Sequence, residues 1–159
     1  LEAAKYLKKN DIVTIGACDN GMVYDLNLFK KKLNNSDLIV WTFKDKKIIS
    51  KSINMYGYIK TDKKDNAIKI SCKRKISKKP WLDHVIIGAF TFKRCELFLK
   101  YTKELLKRNL KINNEFYMDS VAKICLESGL KIKVNLVKKY YGWGTPQDLK
   151  KYLIRNQNV

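Results

Sequence analysis

Apolar runs separated by short polar segments predict buried strands in the first half of the chain. Residues 11–18 and 37–43 are the two clearest runs, and the second shows no alternation with polar residues. A run without alternation is typical of a parallel strand covered on both faces. Because the basic segment 26–33 between them predicts a helix, the order strand, helix, strand indicates a right-handed crossover in an α/β sheet.

A hairpin and a longer strand are predicted in the middle of the chain. Residues 56–61 and 67–72 have the pattern of two short strands, with Asp65 and Asn66 in the turn between them. Residues 85–92 are a further apolar run, interrupted by Gly88. A glycine inside a strand often marks the close approach of a ligand or of a second backbone.

Helical periodicity dominates the last third of the chain. Leu97, Tyr101 and Leu105 fall on one face of a predicted helix over residues 95–108. A second helix is predicted to open at residues 113–115 and to end at Gly129, and a strand follows over residues 131–137. Residues 142–146 are predicted to form a tight loop. The last predicted helix covers residues 147–154, with Thr145 and Pro146 at its start. Because no repeat or linker interrupts these elements, residues 1–159 are predicted to form one domain.

The composition is that of a globular protein, with 45% hydrophobic residues among 159. No stretch approaches the ~20 apolar residues that cross a bilayer, and no secretory signal opens the sequence. The cysteines Cys18, Cys72, Cys95 and Cys125 form no C-x-x-C pair, and His84 is the only histidine, which argues against a zinc site. We therefore expect reduced, mostly buried thiols in a cytoplasmic protein.

The net charge of +19 leaves two interpretations open. One is a surface that binds a polyanion such as nucleic acid. The other is a set of lysines distributed over solvated surfaces. We favour the second because lysines occur along the whole chain, whereas a nucleic-acid footprint is a patch or a stripe. Only residues 73–79 are locally dense in positive charge.

Two acidic residues are candidates for chemistry. Asp19 follows a predicted strand, at the kind of strand end where α/β sheets bind ligands. Its carboxylate is a suitable Mg²⁺ ligand together with phosphate oxygens, but Asp19 is equally suited to starting a turn. Glu115 stands at a predicted helix start, where an acid either offsets the helix dipole or binds acceptor hydroxyls.

The most specific string in the sequence is residues 142–149, Gly-Trp-Gly-Thr-Pro-Gln-Asp-Leu. It resembles the Gly-Thr-Pro-x-x-Leu loop that ends the catalytic domain of sugar-1-phosphate nucleotidyltransferases. Other segments are similar to that family's motifs in the expected order: residues 17–20 to the strand end that carries the magnesium-binding Asp, residues 56–59 to the Tyr-Gly-hydrophobic strand, residues 85–92 to the Gly-x-Tyr-x-Phe strand, and residues 113–117 to an Asn-Gly-Glu-Phe-Tyr motif. The resemblance extends from about residue 3 to residue 153.

The resemblance implies both a fold and a reaction. The fold is a mixed, mostly parallel, Rossmann-like sheet of the GT-A nucleotidyltransferase type, flanked by helices. In the reaction, the phosphate of a sugar 1-phosphate attacks the α-phosphorus of a nucleoside triphosphate, which gives an NDP-sugar and pyrophosphate. The roles carried over are Asp19 as ligand of Mg²⁺, Lys73 as the cation that neutralises the acceptor phosphate, Gly57, Gly88 and Glu115 as lining of the acceptor pocket, and Thr145 as the cap of its wall.

Three departures from the family pattern narrow this expectation. Cys72 precedes Lys73 where many relatives have Glu, and Gly142 stands where many have a second metal-binding Asp. The family's glycine-rich loop, Gly-x-Gly-[Ser/Thr]-Arg, does not occur in the 159 residues. Since backbone N–H groups in such a loop hold the triphosphate, the resemblance is to the acceptor-binding, C-terminal part of the family.

The chain alone is therefore predicted not to catalyse nucleotidyl transfer. Its expected partners are an NTP and a sugar 1-phosphate or a similar phosphomonoester such as choline phosphate, together with the missing N-terminal half or a second copy of the chain. Two alternatives remain: a non-catalytic module that binds sugar phosphates and, ranked last, a basic nucleic-acid-binding protein.

Overall fold

Strands rich in β-branched and aromatic residues alternate with amphipathic helices in the structure, a computed structural model that describes residues 5–156. The strands are β1 (Val13–Ile15), β2 (Asn20–Val23), β3 (Leu38–Phe43), β4 (Tyr58–Thr61), β5 (Ala67–Ser71), β6 (His84–Phe92), β7 (Ile132–Leu136) and β8 (Lys139–Gly142). The helices are α1 (Leu26–Asn34), α2 (Lys46–Ile49), α3 (Cys95–Lys107), α4 (Met118–Glu127) and α5 (Pro146–Asn156). No helix within residues 5–156 combines the length and the apolar character needed to cross a membrane.

Six strands form one mixed sheet around β6. The order is β5-β4-β6-β3-β7, and β1 also pairs with β6. Among the described strands, β3 and β7 are the one parallel pair of this sheet, and its other pairings are antiparallel. The expectation of a mixed sheet flanked by helices is confirmed, whereas the expectation of a mostly parallel sheet is wrong.

The position of β6 explains the difference in strand direction. β1 and β3 are both antiparallel to β6, so they run in the same direction, as the strand–helix–strand order predicts. They are not neighbours, however, because β6 lies between them. The apolar run of β3 is that of a strand covered on both faces, and β3 is parallel to β7 on one side and antiparallel to β6 on the other.

The core lies on both faces of the main sheet, and all six residues of β3 are buried. Leu38 and Val40 belong to one hydrophobic cluster, which α3 and α4 cover. Ile39, Trp41 and Phe43 point the other way, into a cluster covered by α1 and α2. The prediction that this strand is covered on both faces is therefore confirmed.

Two local predictions need correction. The strand expected over residues 11–18 is reduced to β1. The turn expected at Asp19-Asn20-Gly21 is confined to Cys18 and Asp19, because Asn20 already begins β2, which pairs with β8 in a second, two-stranded sheet. The helix expected to open at residues 113–115 begins at Met118. Asn113 and Asn114 have φ angles of 51° and 61°, in the left-handed region that Asn tolerates and that a right-handed helix excludes.

The cysteine thiols are free, as expected. Cys95 and Cys125 are buried, Cys72 is half-buried and Cys18 is exposed.

Candidate functional site

A cleft of about 870 Å³ opens where β3 and β6 meet the small β2–β8 sheet and the first turn of α5. Five of the six residues predicted from the family resemblance line it: Asp19, Gly57, Lys73, Gly88 and Thr145. These residues come from five separate segments, so the fold brings together positions that are distant in the sequence. Glu115 is not among the residues that line the cleft.

The segment that carries Asp19 is fixed by hydrogen bonds to its neighbours. The backbone N–H of Trp143 donates to the Asp19 carbonyl at 2.7 Å, and the side-chain amide of Asn20 donates to the carbonyl of Ile87 at 2.8 Å. A Cβ added to Gly144 would lie 3.0 Å from Asp19 Oδ2, so the carboxylate lies directly against this glycine. Asp19 is therefore held at the junction of the two sheets, beside the turn that precedes α5.

Gly88 interrupts β6 with a backbone conformation that favours glycine. Its φ is +79°, in the left-handed region that favours glycine. Its carbonyl accepts from the Ala17 N–H at 3.1 Å, and an added Cβ would lie 3.2 Å from the Ala17 side chain. The close approach indicated by this glycine is therefore that of a second backbone segment, the one that leads to Asp19.

Thr145 caps α5. Its Oγ1 accepts from the backbone N–H of Asp148 at 3.2 Å and donates to the Asp148 carboxylate at 2.8 Å. This reciprocal arrangement orders the first turn of the helix against the cleft. The cap predicted from the Thr-Pro sequence is present, with Pro146 as the first residue of α5.

The Asp19 carboxylate is suited to holding a divalent cation together with a bound phosphate. It makes no hydrogen bond or ion pair within residues 5–156. No group of three or more His, Cys, Asp or Glu residues among those described could hold a metal ion. Since Mg²⁺ is commonly bound by one or two carboxylates plus substrate phosphates and water, a single available carboxylate fits a metal that arrives with its ligand.

Lys73 also lines the cleft, in a constrained conformation. Its φ is +50°, its ammonium donates to the Met55 carbonyl at 2.6 Å, and the same nitrogen lies 5.0 Å from the centre of the Tyr117 ring. An ammonium has three N–H donors. One of them is used by Met55, which orients the group and leaves donors for an anion.

Asp119 is a buried acid beside Lys73 that the sequence did not single out. A Cβ added to Gly57 would lie 2.0 Å from Asp119 Oδ2, so this carboxylate occupies the space that glycine leaves open. Burial raises the pKa of Asp119 to about 6, and the nearby charge of Lys73 opposes that rise. The only signal in the sequence was helical spacing, because Asp119 stands three residues before Ala122 on the inward side of α4.

Glu115 acts on the cleft only through a neighbour. It accepts a hydrogen bond from the Tyr117 hydroxyl, and this bond is the main cause that raises the pKa of Tyr117 to about 12. Tyr117 itself lines the cleft, under the Lys73 ammonium. Glu115 thus contacts a residue of the cleft lining but does not itself line the pocket that the resemblance assigned to it.

Aromatic rings form a wall of the cleft that sequence reasoning also missed. Phe43 stacks on Tyr140 with ring centres 4.3 Å apart, and Tyr56 meets Phe43 edge-on at 5.6 Å. Burial raises the pKa of Tyr140 to about 12, and the charges of Asp19 and Asp148 contribute to the rise. A ligand therefore meets aromatic surface next to a few polar groups, the usual composition of a small-molecule site.

Two buried titratable groups, Asp119 and His84, predict opposite effects of pH on stability. The pKa of Asp119 is raised to about 6, so the folded protein binds the extra proton and stability falls as pH rises from about 4 to 6. His84 accepts from or donates to Thr42 Oγ1 at 2.9 Å, and burial lowers its pKa to about 4. Its contribution has the other sign, because the unfolded chain binds the extra proton and stability rises from about pH 4 to 6.5.

In Asp119→Asn, the rise of stability with pH that His84 causes is expected to be no longer offset by Asp119. Urea unfolding at about pH 4.5 and pH 6.5 should show a free energy of unfolding that rises with pH by roughly 2 kcal/mol more in this variant than in the wild type. His84→Gln should change the slope in the opposite direction. Equal slopes in the wild type and Asp119→Asn would contradict the assignment of a raised pKa to Asp119.

Solved structures of nucleotidyltransferases share this fold. A nucleoside-diphosphate-sugar pyrophosphorylase from Vibrio cholerae RC9 superposes with a TM-score of 0.74 at 18% identity, over 96% of this chain and 60% of that protein. An inositol-1-phosphate CTP transferase from T. maritima gives 0.66 at 12% identity, over 97% and 57%. HddC from Yersinia pseudotuberculosis, also determined in complex with GMP-PN, gives 0.59 at 15% identity, over 97% and 59%.

Sequence comparison alone finds no such relationship, because neither a protein-family model nor a curated protein matches the chain. The chain spans less than two thirds of the length of the three solved proteins, between 57% and 60%. At 12–18% identity the likeness concerns the fold. The chain therefore has the α/β fold of the sugar-phosphate nucleotidyltransferases.

Proposed function

We propose that these residues form the acceptor- and metal-binding part of a nucleotidyltransferase that converts an NTP and a sugar 1-phosphate to an NDP-sugar and pyrophosphate. The observation that carries the proposal is that Asp19, Lys73 and Thr145, from three distant segments, line one cleft at the end of the main sheet. The fold shared with sugar-phosphate nucleotidyltransferases supports the same reaction class.

In this proposal, Lys73 and Asp19 divide the work of neutralising charge. The Lys73 ammonium, oriented by the Met55 carbonyl, donates to oxygens of the acceptor phosphate. Asp19 would hold Mg²⁺, which would supply further neutralisation of phosphate charge. Phosphoryl-type transfer depends mainly on such positioning and charge stabilisation.

The rest of the cleft suits the acceptor's organic part. Tyr56 and Tyr140 offer aromatic surface for the carbon face of a sugar ring, and Gly88 lets the segment that leads to Asp19 pack against β6. Gly57 has a different role, because its missing side chain makes room for Asp119. A ring-bearing acceptor therefore fits the lining better than a bare phosphate does.

The nucleotide's triphosphate has no backbone cradle in this sequence, which contains no glycine-rich phosphate loop. We propose that residues outside these 159 supply it. β1 pairs only with β6 among the described strands, so its other edge is open to a further strand.

The test is to measure binding and turnover in the same solutions. The purified chain, Mg²⁺, each NTP in turn and a panel of sugar 1-phosphates with choline phosphate are assayed for pyrophosphate release, while ³¹P NMR follows the acceptor signal. We expect a sugar 1-phosphate signal to broaden without pyrophosphate release. Turnover would contradict the proposed need for further residues, and the absence of binding by every acceptor would contradict the acceptor site.

Lys73→Met is expected to weaken binding of the sugar 1-phosphate by about ten- to a hundredfold, because a charge-assisted hydrogen bond contributes roughly 1.5–3 kcal/mol. Lys75→Met removes the same charge two residues along the chain, outside the lining of the cleft, and is the matched control. ³¹P NMR titration compares the two. Equal losses of affinity in both variants would show that general positive charge, and not Lys73, holds the phosphate.

A further inference from the structure

A second groove, of about 1090 Å³, follows the outer edge of the main sheet. It lies between β5, the loop over residues 72–76, residues 110–112 and α4. All five residues from 68 to 72 line it. Since successive side chains of a strand point to opposite faces, this unbroken run shows that the groove follows the edge of β5 and not one face of it.

The outer edge of β5 is available for pairing. β5 is the terminal strand of the sheet and pairs with β4 on its inner side. No other named strand within residues 5–156 pairs with it, and the bridge between Asn66 and Lys133 falls just before its first residue. An open edge of this kind presents a row of backbone donors and acceptors that can bind another extended chain.

Positive charge surrounds this groove in excess. The charged residues that line it are Lys69, Arg74, Lys75, Lys111, Lys123 and Glu127, five cations and one acid. The cleft described above has a near balance, with five lysines and four aspartates. The rim of the groove is therefore more strongly basic than the lining of the cleft.

Apolar side chains form the floor and walls of the groove. Ile70 and Ile124 lie at its base, with 4% and 2% of their surfaces exposed. Ile68 and Leu110 remain 56% and 45% exposed on its walls. A chain bound along the edge would place alternate side chains against this apolar surface and the others toward the basic rim.

We propose that the groove binds an extended acidic peptide segment of a partner protein, which adds to β5 as a further strand. The open backbone edge favours a peptide, because its hydrogen bonds pair main chain with main chain. A second copy of this chain carries a net charge of +19 and is repelled by the same rim. The residues lining the groove include none of the aromatic rings on which nucleic-acid bases stack.

The probe is a short fluorescein-labelled peptide of alternating glutamate and valine, and its binding to the full chain is followed by fluorescence anisotropy. Lys69→Glu/Arg74→Glu reverses two charges of the rim and should weaken binding at least about tenfold. Lys30→Glu/Lys103→Glu makes the same change on exposed positions of α1 and α3, and should weaken it less than about twofold. A peptide with proline at its centre keeps the charge but loses a backbone donor, and should bind about tenfold more weakly.

Three results would overturn the proposal. The first is that both double variants weaken peptide binding equally. The second is that the proline peptide binds as tightly as the original peptide. The third is that a single-stranded oligonucleotide displaces the peptide and that its own binding requires Lys69 and Arg74. Thermal unfolding compares the folded state of both variants. If the charge reversal prevents folding, Lys69→Gln/Arg74→Gln is used in its place. In the wild type, the peptide must also shift the amide NMR signals of residues 68–71 for the proposal to stand.

Discussion

Gly57→Ala is expected to lower the free energy of unfolding by roughly 3 kcal/mol, the upper end of the cost of overpacking a core. The new Cβ would lie 2.0 Å from Asp119 Oδ2 and 2.9 Å from the Ser71 carbonyl oxygen. The first contact is with the side chain of a buried residue, and the second is with backbone in the neighbouring strand β5. Neither can move away without disturbing the sheet or α4. Urea unfolding near neutral pH measures the loss.

A double-mutant cycle separates the two contacts. Gly57→Ala/Asp119→Ala should recover part of the loss, because truncating the acid removes the closer contact but leaves that with Ser71. Gly16→Ala is the matched control, since a Cβ at Gly16 meets nothing within 4 Å. Equal stability of Gly57→Ala and Gly16→Ala would contradict the packing of Asp119 against Gly57, and so would a cycle without coupling.

Asp19→Asn is expected to abolish the Mg²⁺ dependence of acceptor binding, at a cost of about ten- to a hundredfold in affinity when Mg²⁺ is present. The amide has nearly the shape of the carboxylate but lacks the charge that holds the cation. The fold should tolerate the change within about 0.5 kcal/mol, because the side chain has no partner among residues 5–156 and the backbone bond from Trp143 remains. Isothermal titration with the tightest-binding sugar 1-phosphate, with and without Mg²⁺, measures the effect.

Asp148→Asn provides the comparison for this variant. Asp148 lines the same cleft, but its carboxylate accepts from Thr145 Oγ1 at the start of α5. Removing its charge should leave most of the Mg²⁺ dependence intact. If Asp148→Asn loses that dependence and Asp19→Asn retains it, the proposed metal ligand is the wrong aspartate.

Local features of the fold could be predicted from the sequence because each depends on neighbours in the chain. The hydrophobic run of β3 and the Thr145 cap of α5 are of this kind. The antiparallel position of β6 between β1 and β3 depends on pairing across the sheet. The pairing of β2 with β8 was missed for the same reason, since Asn20 and Gly21 have the composition of a turn and form a strand only beside a distant partner.

Some residues of the candidate site could likewise be identified from the sequence and others could not. Asp19, Lys73 and Thr145 could be named because short motifs around them resemble those of a family, and the structure brings them to one cleft. Asp119 and Tyr140 lie in the same cleft without any such motif. Their positions follow from contacts with Gly57 and Phe43, which are far from them in the chain. Composition and spacing carry no record of such contacts.

We propose that the cleft lined by Asp19 and Lys73 holds a divalent cation and an acceptor phosphate together. Paramagnetic Mn²⁺ in place of Mg²⁺ tests it directly, because it broadens NMR signals only of nuclei close to the ion. With a sugar 1-phosphate present, we predict broadening of the amide signals of residues 17–20 and 144–145 and of the ligand's ³¹P signal. Broadening confined to other parts of the protein, with a sharp ³¹P signal, would rule out shared binding of the cation and the phosphate in this cleft.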